Sequence, residues 1–212
     1  MFLCRFFMVS SKEESHNIQT LITEKPLWRP LLHMEIKQHH LLIDTLFGTC
    51  RQTLGSDFEG YRNHCLRVYY FCCALTRNKP ENDDKIAIAA FFHDIGIWTD
   101  DTFDYISPSQ LLAREYLEKT DRTAWIPEIE AMIGEHHKLT PCKAQQFLLV
   151  EPFRKADWID ISRGMLRHRL PDDFVLDVFD AFPNEGFHKK LLLLAKARLK
   201  THPFSPLPMM KL

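Results

Sequence analysis

"IAIAAFFHDIGIW", residues 86–98, sets a histidine and an aspartate inside a strongly apolar run. Seven apolar residues, Ile86 to Phe92, lead into His93 and Asp94, and Ile95, Ile97 and Trp98 follow. A segment apolar nearly all round predicts a central, buried helix, here over residues 83–97. A carboxylate buried in such a place without a partner costs on the order of several kcal/mol, so Asp94 demands compensation.

Outward from this segment the chain reads as helices on both sides. Ile36, Ile43, Phe47, Cys50 and Leu54 recur at helical spacing over residues 34–54. Ser56 and Glu59 form a capping-box pattern ahead of Phe58, Tyr61, Cys65, Val68, Cys72 and Leu75. Ser107, Pro108 and Gln110 open a helix that reaches about Lys119. Two more run from Pro127 to about His137 and from Pro152 to about Ser162, and "LPDDFVLDVFDAF" and "FHKKLLLLAKARLK" complete the set. Pro108, Pro127, Pro141, Pro152 and Pro171 each stand at or shortly before a predicted helix start, where a missing N–H costs little. No alternating run suggests a strand, and neither a repeat nor a linker interrupts the pattern. The expectation is an all-α, single-domain helical bundle over residues 34–201. An N-terminal extension, residues 1–33, precedes it, and a proline-rich tail, residues 202–212, follows as an extended strap or a frayed end.

Composition narrows the function classes. A net charge of -1 gives no electrostatic reason to expect nucleic acid or an anionic membrane as partner. No stretch approaches the ~20 apolar residues of a membrane span. The oily start, "MFLCRFFMVSSKEESHN", is interrupted by Arg5 and is too short for an export signal. It reads as a loosely ordered or packed terminus, with a natural start nearer Met34 as the alternative. Six cysteines form no C-x-x-C pair, and Cys65 and Cys72 fall on an apolar stripe, which argues against a zinc knuckle. Free thiols without an export signal point to the cytoplasm.

Chance alone supplies about one His-Asp step in a chain of this composition, so the surroundings carry the information. His64 lies three residues after Tyr61 and four before Val68, at the edge of a buried stripe. His136 and His137 follow Met132 and Ile133 closely enough for at least one to face the same core. Asp157 lies four residues after Phe153 and four before Ile161. Each alone has a plain explanation as a core residue with a private hydrogen bond. Together, on four helices, they would need several such partners, whereas one divalent cation satisfies the set.

"YRNHCLRV", "AAFFHDIG" and "RKADWIDIS" supply a His, a His-Asp pair and a later Asp in an order that resembles the HD-domain superfamily of metal-dependent phosphohydrolases. "MIGEHHKL" adds a histidine-containing helix between the pair and the last Asp, and the wider wording is similar to an uncharacterised bacterial HD-domain subgroup. The resemblance spans about residues 56–190 and implies an HD-type helical fold. It also implies His64, His93, Asp94 and Asp157 as ligands of one divalent ion, with Mn, Fe, Co, Ni and Zn all compatible with mixed N and O donors. Dinuclear members carry a further histidine that is missing between Asp94 and His136, so one ion is expected, with a second, weaker one near His136/His137 as the variant. The Glu that some nucleotidases place shortly after the pair is absent, as is the "GYP" signature of cyclic dinucleotide hydrolases.

The implied activity is hydrolysis of a small phosphate ester, a nucleotide among the options, through a metal-activated water. Asp94 is also a catalytic candidate. Arg67 and Lys138 are candidate phosphate contacts, with solvated surface charge as their plain reading. Glu135, His136 and His137 are candidates for proton transfer or for supporting the ligands. The loop "WTDDTFDY" reads as a cap-rich helix terminator, and Asp100, Asp101 or Asp104 at the pocket mouth is the alternative. Two other readings stay open: an oxygenase or hydratase on the same fold, and a metal-stabilised ligand-binding module without turnover. The expected partner is a small phosphorylated molecule.

Overall fold

The structure, a computed structural model, describes residues 34–142, 146–205 and 207–210; the extension assigned to residues 1–33 lies outside the described residues. Helices follow in the order α1 (Leu41–Leu54), α2 (Phe58–Leu75), α3 (Asp83–Phe92), α4 (Gly96–Thr99), α5 (Ile106–Lys119), α6 (Ile126–Glu135), α7 (Val150–Ile161), α8 (Asp172–Ala181) and α9 (Phe187–Thr201). Single 3-10 turns at Gly55–Asp57, Pro80–Asn82 and Thr123–Trp125 lead into α2, α3 and α6. No strand occurs among the described residues, so the chain is all-α there.

Helix α3 sits at the centre, as its composition requires: Ile86 to Phe92 are all buried. It packs against α1, α2, α5 and α6, while α2 lies along α7. An all-round apolar helix has no face suited to water, and these neighbours cover it on every side. No helix among the described residues is long and apolar enough to cross a membrane. Cys50, Cys65, Cys72, Cys73 and Cys142 are free thiols, three of them buried as small apolar groups.

Four local expectations need correction. Helix α1 begins at Leu41 rather than near residue 34, where His40 Nδ1 caps it by accepting from the Ile43 N–H at 3.3 Å. The Ser56–Glu59 capping box does not form, because Ser56 falls inside the 3-10 turn and α2 starts without a side-chain cap. Pro141 starts no helix, since it lies in an irregular stretch and α7 begins only at Val150. The central helix stops at Phe92 instead of running to residue 97, and α4 starts after a turn. Gly96, the first residue of α4, marks a close approach of α5. A Cβ there would stand 2.7 Å from the Tyr105 carbonyl oxygen, and its N–H donates to Ser109 Oγ at 3.0 Å. The start of α5 is thereby drawn against the turn that carries His93 and Asp94.

Part of the tail packs and part does not. Met209 is buried in a cluster with Ile97, Phe103 and Tyr105, whereas Phe204 is fully exposed.

Candidate metal centre

Three helices and one turn bring the site together. His64 comes from the middle of α2, His93 and Asp94 from the turn after α3, His136 and His137 from the end of α6, and Asp157 from α7. His64, His93, Asp94, His136 and Asp157 are at most 1% exposed. His64 Nε2 stands 2.8 Å from His93 Nε2. Asp94 Oδ2 lies 3.6 Å from the first and 3.5 Å from the second. Asp157 Oδ1 lies 3.7 Å and 3.9 Å from the same two nitrogens. Across the cluster, Asp94 Oδ1 faces His136 Nε2 at 3.3 Å, and Asp157 Oδ2 faces His137 Nδ1 at 3.4 Å.

The surrounding hydrogen bonds decide which ring nitrogens carry protons. His93 Nδ1 lies 2.8 Å from the Ala90 carbonyl and His136 Nδ1 2.6 Å from the Ile133 carbonyl. A carbonyl only accepts, so both Nδ1 atoms donate and both Nε2 atoms turn a lone pair inward. His64 Nδ1 donates to Asp160 Oδ2 at 2.6 Å, so its Nε2, 2.8 Å from the His93 Nε2 lone pair, carries a proton shared with that lone pair or, once the proton is lost, a lone pair of its own. Asp94 Oδ1, His136 Nε2 and both Asp157 oxygens are buried with no hydrogen-bond partner among the described residues. These orphaned donors of electron pairs fit divalent cations, which would compensate them.

Among the described residues, two groups could hold a metal ion. His64, His93 and Asp94 each offer one atom within 4.8 Å of the others, and Asp94, His136 and His137 form a second such group. Asp94 belongs to both, one oxygen toward each.

Without an ion, the same groups compete for protons. Burial works against the His64 imidazolium, but Asp160 and Asp94 outweigh it and raise the group to about 9. Burial lowers His93 to about 3 and lifts the Asp157 carboxyl to about 7. Burial opposes the Asp94 carboxylate too, yet His93 and His136 hold it well below its ordinary value.

Other candidates go elsewhere. Arg67, expected at a phosphate or in solvent, is neither: it is fully buried, paired with both Asp160 oxygens and donating to the Phe182 carbonyl at 2.8 Å. Lys138 and Glu135 pair with each other at 2.6 Å, and neither lines the pocket beside the cluster. Asp100, Asp101 and Asp104 are exposed, while Phe103 and Tyr105 of the same loop turn inward.

Two residues escaped the sequence reading. Asp160 lies three residues after Asp157 on the same helix face, so α7 presents one carboxylate to the cluster and one behind His64. That spacing was a usable signal. Burial alone would raise Asp160, but Arg67 and His64 hold it well below its ordinary value. Tyr105 shares a 2.5 Å hydrogen bond with His137 Nε2. Nothing in the acidic loop around Tyr105 announced that contact.

The chain matches the family model described as HD domain over residues 61–182, more than half of its length, and it belongs to that family. No curated protein and no solved structure matches it.

Proposed function

For a member of the HD-domain family with this cluster, we propose metal-dependent hydrolysis of a phosphate ester. The observation that carries the reading is Asp94, whose two oxygens face two separate ligand groups, so that the second position near His136 and His137 is part of the site alongside the first. When bound there, divalent ions supply water activation near neutral pH and polarisation of a phosphoryl oxygen.

The protein's own residues do the positioning. The Ala90 and Ile133 carbonyls and Asp160 fix three imidazoles with Nε2 inward. Asp157 adds a carboxylate beside both groups. Tyr105 holds His137 by its Nε2, and burial keeps the phenol protonated far above the neutral range. Asp157 and His137 also line a pocket, through which an ester can reach the cluster.

The test is hydrolysis of phosphomonoesters and nucleotides, read as released phosphate, and of phosphodiesters, read as released alcohol, by protein loaded with Mn²⁺, Co²⁺ or Ni²⁺, run aerobically and anaerobically. Hydrolysis in both atmospheres supports the reading. Oxygen-dependent product formation with iron, or binding without turnover of any ester, contradicts it.

A further inference from the structure

The pocket that meets the cluster encloses about 580 Å³, within the range of small-molecule sites. Asp157 and His137 form part of its wall, so a ligand headed by the cluster extends into it. Most of the remaining wall is apolar: Phe103, Tyr105 and Trp158 on one hand, Leu191, Met209 and Met210 on the other. Helix α9 and the packed tail supply the second group. Methionines adapt their shape to an apolar guest at little cost. The mouth is apolar as well, with Met165 82%, Leu192 59% and Leu207 40% exposed on it.

The charges are as telling as the apolar walls. Among the described residues, and apart from imidazoles, Arg163 is the one cationic side chain lining the pocket, and it is exposed. A nucleoside polyphosphate carries several negative charges beyond the one at the reacting phosphorus and calls for matching Lys or Arg groups. This wall would leave those charges against leucine and methionine, which is costly.

We propose that the pocket holds the apolar body of an amphiphilic phosphate monoester, free in solution, whose single phosphate sits at the ligand cluster. The inference rests on the phosphohydrolase reading for the head and on the pocket alone for the body. Hydrolysis adds water across the phosphorus–oxygen ester bond and releases the apolar alcohol and inorganic phosphate, with no oxidant required.

The test measures binding of butyl-, octyl- and dodecylphosphonate, which cannot be hydrolysed, to the manganese-loaded full chain by calorimetry, below micelle-forming concentrations. Affinity is expected to rise by up to about fourfold per added methylene until the pocket is full. Ala195→Trp, which narrows the wall, and Leu192→Asp, at the exposed rim, should each remove most of that gain while retaining bound manganese. Length-independent or absent binding overturns the proposal, as does ADP binding tighter than dodecylphosphonate, or association only with phosphatidylcholine vesicles that display the phosphonate. Chain-length-dependent binding with no phosphate released from dodecyl phosphate upholds the pocket and refutes the hydrolase. Phosphate release from nucleotides with no dependence on chain length does the reverse.

Discussion

His64 Nδ1 donates to Asp160 Oδ2 at 2.6 Å, and the same carboxylate receives the Arg67 guanidinium. One buried carboxylate thus aims a ligand and neutralises an arginine. Asp160→Asn keeps an acceptor for His64 but loses the charge that strengthens the imidazole as a donor of electrons. Divalent-ion affinity is expected to fall about 10- to 100-fold, read by calorimetry with Mn²⁺. Unchanged affinity would leave Asp160 a structural residue only.

Arg67→Met should act on stability. It strands Asp160 in the interior, and breaking a buried pair from one side costs about 3–5 kcal/mol. Urea unfolding of the metal-loaded protein measures this. A loss below about 1 kcal/mol would show that the pair is not held as described.

Gly96→Ala tests the break after α3. The new methyl would meet the Tyr105 carbonyl oxygen, which is backbone and cannot rotate aside. A loss of about 1–3 kcal/mol is expected, together with weaker ion binding, because the turn carrying His93 and Asp94 must shift. A variant as stable as the parent would mean that the turn and the start of α5 are not in contact.

Protons and metal compete for the cluster. His64 at about 9 lies above its ordinary 6.5, so in metal-stripped protein its imidazolium stabilises the fold fully below pH 6.5, and this is lost as pH rises through 9. Asp157 at about 7 lies above 3.8 and acts in the same sense, with its contribution gone above pH 7. Asp94 and Asp160 are depressed, and their contribution is already complete at neutral pH. The melting temperature of stripped protein should therefore fall between pH 6.5 and 9. Ion affinity should rise by about tenfold per pH unit between 7 and 9, as His64 gives up its proton to make room. A flat affinity profile there would contradict the assignment of His64.

The cluster was partly legible because histidine and aspartate are conspicuous on apolar faces. His64, His93, Asp94 and Asp157, which the family resemblance groups together, stand near one another in the structure. Arg67 was misread because its exposure depends on a tertiary partner, Asp160, nearly a hundred residues away in the chain. The end of α3 was misplaced because an apolar run has the same periodicity whether or not the backbone bends. At the bend Gly96 meets the start of α5, a contact invisible locally. The pocket was equally hidden. Its walls come from a loop, three helical segments and the tail, and none is unusual in isolation.

The most direct measurement is metal content. After dialysis against Mn²⁺, elemental analysis should find two ions per chain in the parent, one in His136→Ala, and none in Asp94→Asn, whose lost carboxylate serves both groups. Circular dichroism should confirm that each variant is folded. A folded Asp94→Asn protein that holds as much manganese as the parent, or a parent that holds none, would contradict the account.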